Sequence, residues 1–312
     1  MDIKFKDIGM WVLWVPVRLA VQRLPLKAVY SLAAATGWLY YAVASGKRKK
    51  VAEELKANLG ERYSGPELGR IVRRSFDMYV KMYFEILLLG SLTAESTGRM
   101  VSYEGLENLD NALNKGKGVI LLISHSGSFM MVLPALGFKG YLVNQLSRPP
   151  VILIKSHNLA HDIKVKDLSV LPVNFLRSDK SLKSAITAIK KNEILVIAFD
   201  GREGNTWMNV ELFGRTATFA PGPVRIASMT GATILPTFII RKDDDTQTLV
   251  VGKPFDLELQ EDNPDFIVHN LQRLARIFEE HVLTHPDHYG LMFQITKERA
   301  VRGHDRALFV EE

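Results

Sequence analysis

The sequence predicts an α/β protein: a mainly parallel central sheet with helices on both faces, preceded by N-terminal membrane-associated helices. Three observations predict it. From Glu104 onward, short β-branched runs alternate with stretches of helical spacing, the order that crossover units of a parallel sheet produce. The run Val119-Ile-Leu-Leu-Ile123 is apolar throughout, as a strand buried on both faces requires. Ahead of both, Ala28 to Ser45 carries no charge and is followed by Lys47-Arg-Lys-Lys50. A chain of 312 residues can bury one large core plus an appendage. We therefore divide it into residues 1–60, a membrane-docking helical region, and residues 61–312, the α/β domain.

The first apolar block, Ile8 to Val17, is a poor secretory signal. Asp2 and Asp7 dilute its basic start, and no small-residue cleavage pattern follows it. Ala28 to Ser45 reaches the length of a membrane span, but Gly37 and several alanines keep it only moderately apolar. It predicts a membrane-docking or marginally inserted helix, with a buried core helix as the competing reading. Trp11, Trp14, Trp38, Tyr40 and Tyr41 suit a headgroup interface, and the adjoining basic cluster suits an anionic cytoplasmic leaflet. A solvated helix start is the plainer reading of that cluster.

Ser64-Gly-Pro66 marks the next helix start, because proline costs least where an amide has no helical partner. Leu68, Val72, Phe76, Tyr79, Val80, Tyr83 and Leu87 then recur at helical spacing and make an apolar face. Strands are expected over residues 119–124, 140–143, 170–173, 194–199, 210–213, 233–241 and 248–251. Helices are expected over 128–136, 181–191, 221–230 and 265–282.

The absence of cysteine excludes disulfides, thiolate zinc sites and a cysteine nucleophile. A formal charge of +6 points to an anionic partner, whether a phospholipid surface, an acidic carrier protein or nucleic acid.

Open α/β sheets place their chemistry at the carboxyl ends of strands. One such end is Ser124-His125, which opens the turn His125-Ser-Gly-Ser-Phe-Met130 and delivers a candidate general base. Another is Asp200-Gly-Arg-Glu-Gly204, where the glycines permit a tight turn beside a substrate. Asp200 can orient a donor there, and Arg202 can grip a phosphate or carboxylate bidentately. Pro221-Gly-Pro223 starts a helix whose amides can take an anion. A serine hydrolase would need a Gly-x-Ser-x-Gly elbow, and Ser124-His-Ser-Gly-Ser128 lacks that spacing. No Gly-rich phosphate loop or dinucleotide fingerprint follows a strand. A metal hydrolase could use His125, His157 and His161, but the glutamate of a zincin helix is missing.

In this order the blocks resemble the glycerolipid acyltransferase superfamily, and within it the lipid A late acyltransferases of lauroyl/myristoyl type. The family's His-x-x-x-x-Asp/Glu motif falls on His125 to Met130. Its acidic and glycine block falls on Asp200-Gly-Arg-Glu-Gly204, and its Phe-Phe-Gly-like element on Leu212-Phe213-Gly214. Thr218-Phe-Ala-Pro-Gly-Pro223 and Ile234-Leu-Pro-Thr-Phe238 follow in the family's order. Outside these, Lys47 to Leu59 looks like its basic helix ending in Asn-Leu, and His285-Pro-Asp-His-Tyr-Gly290 is similar to its Pro-Glu-Gln segment. The resemblance covers nearly the whole chain.

It implies a glycerolipid acyltransferase-like fold and an enzyme of lipid A or lipopolysaccharide biosynthesis at the cytoplasmic side of a bacterial inner membrane. The implied anchorage is peripheral or by a single N-terminal segment. The implied reaction moves a fatty acyl chain from an acyl carrier protein or coenzyme A thioester to a hydroxyl of a membrane lipid or glycolipid. No cofactor, metal or nucleic acid takes part. His125 would be the general base and Asp200 the second catalytic residue. Backbone amides of the turn, at Gly127 and Ser128, would hold the oxyanion. Arg202 would take an acceptor or donor phosphate in a pocket shaped by Gly201 and Gly204, with Lys155 as a further basic residue.

Met130 departs from the pattern, because a thioether cannot orient the histidine as the family's carboxylate does. Asp200 is the best substitute, since it too ends a central strand; Glu203 and Asp162 are less constrained. The alternative is a catalytically impaired lipid- or acyl-carrier-binding member of the same fold. The segment Leu291 to Lys297 is less basic than the family's C-terminal cluster, which leaves the acceptor open.

Overall fold

The computed structural model describes residues 12–63, 65–147, 167–177, 182–202, 204–259 and 262–310. Its strands are β1 (Val101–Glu104), β2 (Val119–Ile123), β3 (Val143–Ser147), β4 (Val173–Arg177), β5 (Ile194–Ala198), β6 (Met208–Leu212), β7 (Arg215–Phe219), β8 (Thr233–Arg241) and β9 (Gln247–Val251). Seven of them form one sheet in the order β1-β9-β8-β2-β5-β3-β4, while β6 and β7 pair as a separate antiparallel ribbon.

The central sheet is mixed: β8 and β9 run antiparallel, and its other pairs run parallel. Long β8 joins the two patterns. Its first half, Thr233 to Pro236, lies parallel to β2, and its second half, Thr237 to Arg241, lies antiparallel to β9. Pro236, which has no amide to donate, sits at the changeover, and its carbonyl accepts from Gly252 N–H at 2.8 Å.

The helices are α1 (Arg18–Val21), α2 (Leu26–Val43), α3 (Ser45–Leu59), α4 (Gly65–Leu88), α5 (Ala94–Met100), α6 (Leu106–Leu113), α7 (Val132–Gly137), α8 (Lys183–Lys190), α9 (Gly222–Thr230), α10 (Phe266–Thr284) and α11 (Pro286–Val301). They cover both faces of the sheet, as the fully apolar β2 requires. Ile120 and Leu122 enter a core with α3, α4, α9, α10 and α11. Val119, Leu121 and Ile123 enter a second core with α5, α6 and α7. Each such side chain, fully buried, contributes roughly 1.5–3 kcal/mol of transfer free energy.

The expected strand over 233–241 forms with those bounds. Two others start later than expected. Gly140 N–H closes a turn on the Gly137 carbonyl and Leu171 N–H one on the Leu168 carbonyl, and β3 begins at Val143 and β4 at Val173. β1, β7, α1, α5, α6 and α11 had no counterpart among the expected elements.

The uncharged N-terminal stretch becomes α2, which lies along α4 through buried Val29, Tyr30, Ala33 and Gly37. Tyr40 and Tyr41 turn inward, edge-on to Phe76 at 4.9 and 5.7 Å, so they belong to the core and not to a headgroup belt. Leu32, Trp38, Leu39 and Val43 face outward, with Trp38 62% exposed. Among the described residues no helix is long and apolar enough to cross a membrane. Trp11 and the side chain of Trp14 lie outside what is described.

Candidate active site

The register of the sheet brings the two strand ends together. β2 pairs with β5 with Ile123 opposite Ala198, so two residues further on His125 falls opposite Asp200. The His125 N–H donates to both Asp200 carboxylate oxygens, at 3.1 Å to Oδ1 and 3.2 Å to Oδ2. Its ring Nδ1 lies 3.0 Å from Oδ1. A carboxylate only accepts, so Nδ1 carries the proton and Nε2 keeps the lone pair that a base uses. The His125 side chain is one-third exposed (33%) whereas that of Asp200 is closed off (1%).

A third residue completes the arrangement. Tyr289, in the first turn of α11 and fully buried, donates its hydroxyl to Asp200 Oδ2 at 2.8 Å. Burial alone would raise the Asp200 pKa, but attraction to His125 in its protonated form and hydrogen bonds from His125 and Tyr289 outweigh it and hold the carboxyl below its usual value. Burial, with Asp200 beside it, pushes the Tyr289 phenol well up, so it stays a donor.

The turn after His125 is clamped from behind by α10, α11 and β8. Gly127 N–H donates to the His288 carbonyl at 3.0 Å, and Ser126 Oγ lies 3.0 Å from His281 Nε2. Ser128 Oγ accepts from Arg241 at 2.5 Å, and Arg241 N–H donates to His288 Nε2 at 3.1 Å. Arg241 is itself buried against Glu85, which also accepts from Tyr30 at 2.8 Å and Gln247 at 2.6 Å. Glycine is required at 127: its φ is +55°, and a Cβ there would meet His288 Cδ2 at 2.7 Å. These contacts alter the oxyanion expectation. The amides of His125 and Gly127 are already engaged by Asp200 and His288, so Gly127 N–H is not available to an oxyanion in this arrangement.

Met130 is half-buried and packs on the second core. Phe129 stands edge-on to the His125 ring at 4.7 Å. Gly201 N–H closes a turn on the Ala198 carbonyl at 3.1 Å, and Gly204 is exposed. Arg202 is buried, with its guanidinium on the carbonyls of Thr218 (2.5 Å) and Ala307 (3.2 Å) and over the Trp207 ring at 4.5 Å. A phosphate grip would require it to leave those partners. Lys155, His157, His161, Asp162 and Glu203 lie outside the described residues.

Beside His125 opens a narrow slit between α4 and α11, lined by Met78, Tyr79, Met82, Leu291 and Met292. The close approach of those helices depends on Gly290, where a Cβ would meet Ser75 Oγ at 2.3 Å. Flexible methionine side chains suit such a slit to an apolar chain of variable shape. Sequence reasoning missed Tyr289, His281, His288 and Arg241. His285-Pro-Asp-His-Tyr-Gly290 stood out in the sequence, but no spacing rule connects Tyr289 with Asp200 across 89 residues.

Comparison with known proteins adds two findings. The family model of bacterial lipid A biosynthesis acyltransferases matches residues 1–297. Two phosphatidylinositol mannoside acyltransferases of Mycobacterium tuberculosis, from strains CDC 1551 / Oshkosh and ATCC 25618 / H37Rv, are each 24% identical over 228 residues. The match covers 70% of this chain and 69% of each relative.

Proposed function

Because the chain belongs to the bacterial lipid A biosynthesis acyltransferase family, and is thus an acyltransferase, we propose that His125 and Asp200 perform its acyl transfer at a membrane surface. The reading rests on one observation above the others: the hydrogen-bonded series His125, Asp200, Tyr289 at the carboxyl end of the sheet. His125 Nε2 takes the proton of an acceptor hydroxyl as its oxygen attacks the carbonyl carbon of an acyl carrier protein or coenzyme A thioester. The tetrahedral intermediate collapses by breaking the C–S bond, and the imidazolium returns its proton to the leaving thiolate. Asp200 holds the ring in the basic tautomer and stabilises the imidazolium between the two steps.

The acyl chain enters along the slit between Met78, Tyr79, Met82, Leu291 and Met292, which must widen by movement of those flexible side chains, since its free volume of about 10 Å³ is that of a single water. The acceptor is a hydroxyl of a membrane glycolipid. A lipid A precursor-like molecule follows from the family, and the names of the two mycobacterial relatives add a mannosylated phosphoinositide to the acceptors worth testing. Docking is peripheral, on the cytoplasmic leaflet of the inner membrane. The outward Leu32, Trp38, Leu39 and Val43 meet the acyl boundary, and the exposed Lys49 and Lys50 meet anionic headgroups, while Lys47 is paired with Glu298 and Arg48 with the Tyr41 carbonyl.

The test incubates the purified full chain with labelled acyl carrier protein and coenzyme A thioesters plus total bacterial lipid, beside His125→Ala. Label should appear in a lipid product with wild type and vanish with the variant. A wild type that binds lipid or acyl carrier yet transfers nothing with either donor supports a binding role for the fold instead.

A further inference from the structure

We infer that Tyr289 is a positioning residue for the transfer, fixing the Asp200 carboxylate in the rotation that presents Oδ1 to His125 Nδ1; this rests on His125 being the base. The Asp200 side chain is buried and takes its hydrogen bonds from two directions. On one side stand the His125 N–H and ring Nδ1. On the other stands Tyr289, at 2.8 Å from Oδ2. Without the phenol, Oδ2 keeps only the 3.2 Å contact from the His125 amide among the hydrogen bonds described. A buried carboxylate oxygen that loses a donor is costly, and the terminal torsion of aspartate is soft, so the group would rotate to recover one. Rotation takes Oδ1 off the ring.

The phenol is well placed to prevent this. Tyr289 is wedged edge-on between Phe278 and Phe293, with ring centroids at 5.1 and 4.8 Å, and so cannot swing away. It also belongs to the helix that packs against α4 beside the slit, so the carboxylate is referenced to the wall that would receive the acyl chain. Met130, a thioether, gives the ring no carboxylate, which raises the demand on Asp200 and on whatever steadies it.

The experiment compares Tyr289→Phe with a protein carrying p-aminophenylalanine at position 289, which retains a donor, and with His125→Ala. Rates, thermal midpoints and the imidazole Nδ1 proton resonance are measured on the full chain. That resonance is assigned to His125 by its loss in His125→Ala. Removing an outer orienting partner typically costs 10- to 100-fold, so Tyr289→Phe should lose about that much kcat, with KM for the thioester changed less than about twofold. Its Nδ1 resonance should move upfield. The amino side chain should restore at least about a third of the wild-type rate by the same reasoning. Equal rates in the Phe and amino forms, or a loss in Tyr289→Phe that disappears when scaled to the folded fraction, overturn the inference. If instead His125→Ala keeps transferring label, the assignment of the base fails and not the role of Tyr289 alone.

Discussion

Asp200→Asn removes one charge and almost no volume, yet the geometry predicts a large loss. The carboxylate meets three donor groups: the His125 amide at 3.1 and 3.2 Å from its two oxygens, ring Nδ1 at 3.0 Å from Oδ1, and the Tyr289 hydroxyl at 2.8 Å from Oδ2. An amide replaces one acceptor by a donor and must confront some of them. With its NH2 toward the ring it forces the proton onto Nε2, the tautomer that cannot act as base. With its NH2 toward Tyr289 it keeps the tautomer, but it confronts the His125 amide and no longer carries the charge that stabilises the imidazolium. The first orientation corresponds to the roughly 10⁴-fold loss known for an asparagine in a serine protease triad. The second retains part of the function. The expected fall in kcat is therefore about 10²- to 10⁴-fold, or roughly 2.7–5.4 kcal/mol at 1.36 kcal/mol per decade. A continuous thiol-release assay with acyl-coenzyme A, or labelled-lipid chromatography with acyl carrier protein, reads it, with circular dichroism confirming the fold. A folded Asp200→Asn within fivefold of wild type would refute the assignment of Asp200 as the partner of His125.

Four further outcomes follow from the same contacts. Met130→Glu should not raise activity, because Asp200 already occupies Nδ1. The new carboxylate enters a half-buried apolar site and should cost roughly 1–3 kcal/mol, so a several-fold gain in turnover would show that the Asp200 contact is inadequate. Gly127→Ala should lose about 1–2 kcal/mol from its left-handed backbone and more from its contact with His288, abolishing transfer; an unchanged melting temperature contradicts this. Burial, followed by His285 and His288, lowers the His281 pKa to about 3 from 6.5. The stability tied to its neutral form is thus complete above about pH 6.5 and lost as pH falls toward 3, amounting to roughly 2 kcal/mol by pH 5. Urea midpoints of wild type and His281→Gln should converge over that range, and parallel curves would exclude it. Trp38→Glu, on the outward face of α2, should weaken partition onto anionic vesicles without altering thermal unfolding; unchanged partition argues against docking through this face.

The sheet was legible where its strands are buried on both faces, because β2 and β5 are continuous apolar runs and β8 carries two short ones, Ile234-Leu-Pro236 and Phe238-Ile-Ile240. It was illegible where strands are short and exposed at an edge. β1 buries Val101 while its next three residues are partly or fully exposed, which resembles a loop. The antiparallel turn of β8 into β9 was hidden for another reason: direction is set by the hairpin Lys242 to Thr246, and strand composition does not encode it. At the site, His125 and Asp200 could be found because each follows a strand and the strands are neighbours. Tyr289 could not, since helix spacing explains a buried aromatic equally well. The N-terminal helix divided the same way: uncharged composition marks both a core face and a lipid face, and only the packing on α4 assigns Val29 to one and Trp38 to the other.

The contacts that make the site are distant along the chain: 75 residues separate His125 from Asp200, 89 separate Asp200 from Tyr289, and 155 separate Ser126 from His281. Each doubling of loop length adds only about 0.6 kcal/mol of closure entropy, so these separations weigh little on final stability. Their effect on time is larger, because topologies rich in distant pairings fold slowly. β2 must find β5 before His125 meets Asp200, and α11 must then dock before Tyr289 reaches the carboxylate. With Tyr289 holding the carboxylate as inferred, full turnover after refolding requires the docking of α11 as well as closure of the sheet.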